Sequence, residues 1–192
     1  MTKLYNFRFD NKINRQEWSL VLDHNFRNVF DVTWSSEYNC FFYSEDNINQ
    51  TLGELIPIIE NDLACQLTVL VSHLDNKLSD KALSLAVKFN SGKLINLADI
   101  CLLAVNERQT DFILYIENYF SKIDEELLRT MAAYLANNSS GLKTANNLYI
   151  HRNTMLYRLS KFYQLTKLDL HDYDDASFFS FWLSWQKIKT HS

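Results

Sequence analysis

The most informative stretch of this 192-residue chain is NNLYIHRNTMLYRLSKFYQLT, residues 146–166. It carries four basic side chains, one of them a histidine, and three tyrosines, but no carboxylate. Met155, Leu159 and Phe162 recur within it at the i, i+4, i+7 spacing that places side chains on one edge of an α-helix. The pattern predicts a helix that begins near Arg152 and turns a single apolar edge towards a core.

A shorter helix is predicted immediately before this one. Ser139 or Ser140 can cap its N-terminus. Its apolar residues repeat at three-residue spacing, at Leu142, Ala145 and Leu148. Only residues 149–151 separate the two helices, and His151 is expected to make a polar contact or cap at the second helix rather than to read a base. Two short helices joined by such a tight turn are typical of a helix-turn-helix motif.

The side chains opposite the apolar edge form the predicted binding surface. In the major groove of DNA, Arg pairs with guanine edges and Asn with adenine, while Lys, Thr and Tyr typically hold phosphates. We therefore predict that the helix over residues 152–164 enters the major groove of double-stranded DNA. The predicted DNA-binding residues are Lys143, Arg152, Asn153, Thr154, Tyr157, Arg158 and Lys161. The alternative is that these cations form an ordinary solvated helix face.

The distribution of charge singles out the same region. The net charge of the chain is −4, yet residues 137–168 contain five Lys and Arg and no carboxylate. Because Asp or Glu there would repel phosphates, their absence is expected of a nucleic-acid interface. A homodimer that paired about five cations per protomer with phosphates would bind DNA with strong salt dependence.

The residues before this region mix strand and helix patterns. Residues 31–45 predict two short strands joined by a turn, and residues 66–73 predict a buried strand. Apolar residues over 48–63 keep helical spacing, although Pro57 must either kink that helix or open a new one. Residues 94–105 are apolar enough for either a strand or a helix.

Capping residues predict three further helices. Ser79 can cap a helix that stops near Gly92, Asp111 can cap the next, and Asp124 can cap a third that ends at ANNSSG. The apolar faces of these helices are predicted at Leu83, Ala86 and Val87, at Ile113, Ile116, Phe120 and Ile123, and at Leu127, Leu128, Met131, Tyr134 and Leu135. A last helix, over residues 176–189, is dense in aromatic residues that are expected to be mostly core.

These elements predict the fold class α+β. Strands alternate with helices in the first part of the chain, and strand signals vanish after Ile123. We predict a small N-terminal mixed α/β domain over residues 1–110, a connecting helix over 111–123, and an all-α helix-turn-helix domain over 124–192.

The composition gives no indication of an enzyme. Five scattered histidines lack metal-ligand spacing, three glycines form no phosphate-cradling loop, and residues 171–175, HDYDD, are better explained as a solvated acidic turn. We predict no catalytic residue, no metal and no cofactor. The three cysteines lack paired spacing and are expected to be buried, reduced thiols. Since no signal peptide or membrane span is evident, a cytoplasmic location is expected.

The C-terminal residues also resemble a known family. Residues 127–170, from LLRTMAAYL to QLTKLDL, are similar to the C-terminal DNA-binding domain of the PucR/CdaR group of bacterial transcriptional regulators, and HRNTMLYRL, residues 151–159, is the most specific part of the match. Residues 94–123 resemble the end of the degenerate GGDEF-like domain that often lies upstream in that group. The resemblance implies a degenerate GGDEF-like identity for the N-terminal domain and a recognition helix over 152–164.

The resemblance also implies a DNA-contacting set, and this sequence departs from the group at two positions. The implied set is Asn153, Thr154, Tyr157 and Arg158. Lys167 stands where the group usually has glycine after QLT, so the end of the helix is expected to differ. Leu156 stands where the group often has a basic side chain, which alters the groove contacts or marks a subunit interface.

Two other functions stay open at this point. The chain could be a helical protein–protein interaction module without DNA-binding activity. DNA binding would weaken steeply with salt, whereas an apolar protein interface would barely respond. In the third interpretation an unknown small-molecule effector binds the α+β domain and alters DNA affinity, but no motif supports it.

Overall fold

The computed structural model describes residues 2–26, 32–74, 77–89 and 94–189, and it divides the chain into two compact units, Met1–Leu103 and Ala104–Ser192. The elements up to the boundary are β1 (Lys3–Phe9), α1 (Arg15–Asn25), β2 (Thr33–Trp34), β3 (Asn39–Ser44), α2 (Asn49–Asp62), β4 (Leu67–Ser72), α3 (Lys77–Lys88), β5 (Leu94–Asn96) and α4 (Leu97–Asn106), within which the boundary falls. The second unit continues with α5 (Thr110–Phe120), α6 (Glu125–Ala136), α7 (Gly141–Asn147), α8 (Arg152–Thr166) and α9 (Tyr173–Lys189).

The first unit is built on a five-stranded sheet in the order β2-β3-β1-β4-β5. β1 pairs antiparallel with both β3 and β4, β2 and β3 form a hairpin, and β5 adds parallel to β4. The sequence β1-α1-β2-β3-α2-β4 is the split βαβ, ferredoxin-like arrangement. The predicted hairpin over 31–45 and the predicted buried strand over 66–73 are therefore confirmed, apart from Asp31, which lies outside the described residues.

The core of this unit follows from the alternation of side chains along β1. Tyr5, Phe7 and Phe9 point to one face of the sheet and are fully buried there. Trp18 of α1 packs edge-on against Phe7 and Phe9, with ring centroids 5.1 and 5.2 Å apart. Buried apolar residues of α2 cover the rest of the same face. The aromatic residues of β1 and α1 thus build a sheet–helix core.

Helices α2 and α3 test two of the predictions made from the sequence. α2 is one helix with Pro57 inside it, which excludes the alternative that Pro57 opens a new helix, and Leu52, Ile56 and Ile59 are buried on both sides of the proline. Ser79 lies within α3 instead of capping it, and its buried hydroxyl donates to the carbonyl of Leu74 at 2.5 Å. The buried face of α3 is Leu78, Ser79, Ala82, Leu85 and Ala86. The prediction is therefore confirmed for Ala86, holds in part for the half-buried Leu83, and was wrong for the exposed Val87. Gly92 lies outside the described residues.

The segment that periodicity left undecided contains both kinds of structure. Residues 94–96 are the edge strand β5, and α4 follows directly from Leu97. Asn96 and Asp99 exchange backbone-to-side-chain hydrogen bonds of 3.0 Å across the junction. In the next helix, α5, the N-cap residue is Gln109, and Asp111 lies in the first turn. The prediction that Asp111 caps this helix was therefore wrong. Ile113, Ile116 and Phe120 are buried as predicted.

The second unit packs its helices around aromatic side chains. Phe120 of α5 lies against Phe178, Phe179 and Trp182 of α9, with a centroid separation of 4.5 Å to Trp182. Asp124 caps α6 as predicted, since its carboxylate accepts a 2.7 Å hydrogen bond from the backbone N–H of Leu127. The helix-rich C-terminal part and the mixed α/β sheet part agree with the predicted fold class. The domain limits at residues 110 and 124 stay a prediction.

The three cysteines are free and buried, as expected. Burial raises the pKa of Cys40 to about 12 and that of Cys65 to about 11, so neither forms a thiolate readily. Among the described residues, no helix combines the length and the apolar character that a membrane crossing requires.

Candidate nucleic-acid interface

The longer helix of the predicted motif, α8, is held by a buried edge. Met155, Phe162 and Thr166 are buried, and Phe162 meets Phe179 of α9 edge-on at a centroid distance of 4.9 Å. Leu159 is half-buried. The predicted inward edge is therefore confirmed for Met155 and Phe162 and holds in part for Leu159.

The turn between α7 and α8 is closed by local hydrogen bonds. Ser140 caps α7 through a 3.4 Å bond from the backbone N–H of Lys143, and the N–H of Ile150 donates to the carbonyl of Ala145 at 3.0 Å. His151 caps α8, with Nδ1 accepting from the backbone N–H of Asn153 at 3.2 Å. The expectation that His151 contacts the helix start is confirmed.

The buried face of α7 differs from its prediction. Thr144 and Ala145 are buried, whereas Leu142 is exposed and Leu148 only half-buried. The hydroxyl of Thr144 donates to the carbonyl of Ser140 at 2.8 Å, which allows the polar residue to be buried. A helix of seven residues gives too few positions for apolar periodicity to identify its inward face.

α8 ends in the backbone conformation that glycine typically adopts at this position, although the residue here is Lys167. Lys167 follows the last residue of the helix in the left-handed conformation, with φ 60° and ψ 9°, and its N–H donates to the carbonyl of Tyr163 at 2.6 Å. Glycine is the residue that adopts this conformation without steric cost. The expectation of a different helix ending at this position is therefore wrong.

The outward face of α8 is polar and free of carboxylates. The exposed residues are Arg152, Asn153, Leu156, Tyr157, Ser160, Tyr163 and Gln164. At about 100° per residue they cover an arc of about 140° opposite the buried edge. Lys143 is exposed on α7, and Thr154 is half-buried. Of the predicted set, Lys143, Arg152, Asn153 and Tyr157 are therefore accessible to a partner.

Arg158 does not lie on that face. Its guanidinium donates to the hydroxyl of Thr130 at 2.7 Å and to the carboxylate of Glu126, both on α6, and the side chain is only 18% exposed. The predicted outward position of Arg158 is corrected, because residue 158 lies about 60° from Met155 around the helix and faces α6.

Lys161 is also paired with the N-terminal end of α6. Its ammonium donates to the carboxylate of Asp124 at 2.6 Å. The bond lowers the pKa of Asp124 below its usual value and raises the pKa of Lys161. Because the pKa of Asp124 is depressed in the folded chain, its contribution to stability is present above the ordinary carboxyl pKa and is lost as the pH falls through the depressed value.

Sequence reasoning missed part of this surface. Ser160 and Gln164 are exposed on the same side as Asn153 and were not predicted as contacts. A projection of residues 152–166 at the helical angle places them there, so the signal was present in the sequence. The acidic partners of Arg158 and Lys161 were not detectable in this way, because they lie 32 and 37 residues away.

The paired helices α7 and α8, with the capped turn between them and the outward polar face of α8, define a helix-turn-helix domain. Comparison with known families agrees with this class. Residues 127–184 match the PucR C-terminal helix-turn-helix domain.

Three curated relatives show how far the similarity extends. The carbohydrate diacid regulator of Escherichia coli (strain K12) is 49% identical over 49 residues, covering 26% of this chain and 13% of that protein. The proline-responsive transcriptional activator PutR of Bacillus subtilis (strain 168) is 42% identical over 48 residues, covering 25% and 12%. A leucine-rich protein of Streptococcus dysgalactiae subsp. equisimilis is 25% identical over 159 residues, covering 76% and 56%. The chain thus spans between 12% and 56% of the lengths of these relatives.

Proposed function

We propose that this chain is a bacterial, cytoplasmic transcriptional regulator that binds double-stranded DNA sequence-specifically by inserting α8 into the major groove. The match of residues 127–184 to a PucR-type helix-turn-helix domain supports this function. Two of the relatives are named as a regulator and a transcriptional activator, which agrees with it.

The observation that carries the proposal is the outward face of α8. Arg152, Asn153 and Tyr157 are exposed there, and no carboxylate occurs on α7 or α8. Asn153 presents the amide that pairs with the N6 and N7 atoms of adenine, and Arg152 presents a guanidinium for guanine or phosphate. Lys143 and Tyr157 are suited to phosphate contacts on either side. The arrangement combines a sequence-reading group with electrostatic attraction to the backbone.

The proposal includes a homodimer, because a single short recognition helix reads few base pairs. Two copies of α8 would enter successive major grooves about 34 Å apart on a pseudo-palindromic site. Selection of bound fragments from random duplexes tests both parts, since a dimer should select two inverted half-sites one helical turn apart. Selection of no sequence, in a protein that still binds a protein partner, would favour the interaction module instead.

Two substitutions on α8 should have different consequences. Asn153→Ala should weaken binding to the selected duplex by about tenfold or more while leaving the affinity for random DNA almost unaffected, because it removes a base contact.

Arg158→Ala should instead lower the free energy of unfolding by about 1 kcal/mol, because it leaves Thr130 and Glu126 without their partner. Fluorescence anisotropy of labelled duplexes and urea unfolding measure the two effects.

A matched control for Arg158→Ala is Arg129→Ala. Arg129 pairs with Glu125 on the same helix end, but both side chains are 77% exposed. Its loss should change stability by less than about 0.5 kcal/mol.

If Asn153→Ala bound the selected and random duplexes like the unmodified chain, α8 could not be the helix that reads the sequence.

We further propose that the first unit is a degenerate GGDEF-like domain without enzymatic activity. Its five-stranded mixed sheet and ferredoxin-like order of elements are compatible with this identity. The tip of the β2–β3 hairpin reads SSEY over residues 35–38, and the chain contains no GGDEF sequence. Incubation of the purified chain with GTP and Mg²⁺ should therefore give no cyclised product, and measurable turnover would contradict the proposal.

A further inference from the structure

Leu156 is an apolar residue in the middle of a polar surface. It is 62% exposed, and it lies one helical turn from both Arg152 and Ser160 on the outward face of α8. A single exposed leucine on a protein surface usually needs no explanation. This one belongs to the face that we propose lies against the bases, where an apolar group would lose its water on binding.

The position of Leu156 relative to Asn153 limits what it can meet. Residues at i and i+3 on a helix are neighbours, with about 5–6 Å between their Cβ atoms. Stacked base pairs are separated by about 3.4 Å along the duplex. A base pair contacted by Asn153 and the base pair next to it are therefore within reach of the two side chains together.

The major groove offers one apolar group to such a side chain. Guanine, cytosine and adenine present hydrogen-bond donors and acceptors, whereas thymine adds a C5-methyl group. The leucine side chain has no hydrogen-bond donor or acceptor, so it would leave the polar edges of the other bases without a partner. It can make a favourable apolar contact only with the C5-methyl group of thymine. We propose that Leu156 selects thymine by contacting the C5-methyl group of that base, next to the adenine that Asn153 reads. This inference rests on the proposed function.

Replacing thymine by deoxyuridine isolates this contact, because it removes the methyl group and keeps the base-pairing edge. The full 192-residue chain is titrated with a duplex selected from a random pool, in which thymines are replaced one position at a time. We expect affinity to fall about fourfold at one thymine per half-site, the factor for losing one buried methyl contact. Replacement at the other thymines should have little effect.

The variant Leu156→Ala completes a double-mutant cycle with the methyl group. It should bind the thymine site more weakly than the unmodified chain and should no longer distinguish thymine from deoxyuridine at that position. Leu114→Ala serves as the matched control, since Leu114 is an exposed leucine of α5, outside the helix-turn-helix. This control should keep the full response to deoxyuridine.

Each other outcome overturns the inference in a recognisable way. Equal binding of thymine and deoxyuridine duplexes at every position, or full sensitivity retained by Leu156→Ala, removes Leu156 from thymine recognition. Dissociation of the dimer by Leu156→Ala in sedimentation, without a methyl effect, makes Leu156 a subunit contact. If no duplex is selected at all, the proposed function itself fails, which is a different result from selection without methyl dependence.

Discussion

Phe162→Ala is expected to destabilise the second unit by about 3–5 kcal/mol, the loss typical of a buried phenylalanine replaced by alanine. Phe162 is 1% exposed and contacts Phe179, which in turn stacks on Trp182 at a centroid distance of 5.9 Å. The cavity would therefore open between α8 and α9. Hydrogen exchange of the amides in both helices, followed by mass spectrometry in increasing urea, measures the local free energy of opening.

The adjacent residue provides a control for this substitution. Tyr163 is exposed, so Tyr163→Ala should change the same free energy by no more than about 0.5 kcal/mol. Phe162→Leu should lie between the two, because it keeps part of the buried volume, and it remains informative if the alanine variant does not fold. Similar losses at residues 162 and 163 would mean that α8 is not held by this edge.

The affinity for DNA is expected to fall about 150-fold between 50 and 200 mM salt, with a slope of log affinity against log salt of about −3.6. Of the four Lys and Arg in the predicted DNA-binding set, Lys143 and Arg152 are exposed and have no carboxylate partner in the part of the chain that the structure describes. Two such cations per protomer give four in a dimer, and each contributes about −0.9 to the slope. Anisotropy titrations at several salt concentrations measure it.

The slope of log affinity against log salt also shows whether Arg158 and Lys161 keep their carboxylate partners when DNA binds. If all five cations of residues 137–168 met phosphates, the dimer would have ten and the slope would be about −9. Such a value would show that Arg158 and Lys161 leave Glu126 and Asp124 on binding. A slope near zero would contradict DNA binding through this surface and favour an apolar protein interface.

Local signals in the sequence predicted the parts of the site that depend on local geometry. The spacing of Met155 and Phe162 identified the buried edge of α8, because a helix of fifteen residues shows several turns of the same period. Asp124 identified the start of α6, because capping is a bond between residues three apart. The exposed positions of Asn153 and Tyr157 followed from the same projection.

Partners inside the fold account for the errors at Arg158 and Ser79. Arg158 was assigned to the arc opposite the apolar edge of α8, but it is directed to Glu126 and to the buried hydroxyl of Thr130. Ser79 was expected to cap α3 because serine favours that position, but its hydroxyl has a partner in the preceding loop. In both cases a polar group is satisfied inside the fold, and composition and spacing do not identify its partner.

The acidic start of α6 has a consequence for how such a regulator would search a genome. Asp124 and Glu126 hold two of its cations as internal substitutes for phosphate. Random sequence offers phosphates without matching bases, so withholding these two cations would lower the affinity for random DNA and would leave the proposed base contact of Asn153 in place. Faster dissociation from the roughly 10⁶–10⁹ competing non-specific sites of a chromosome would leave more of the protein free to bind its specific site.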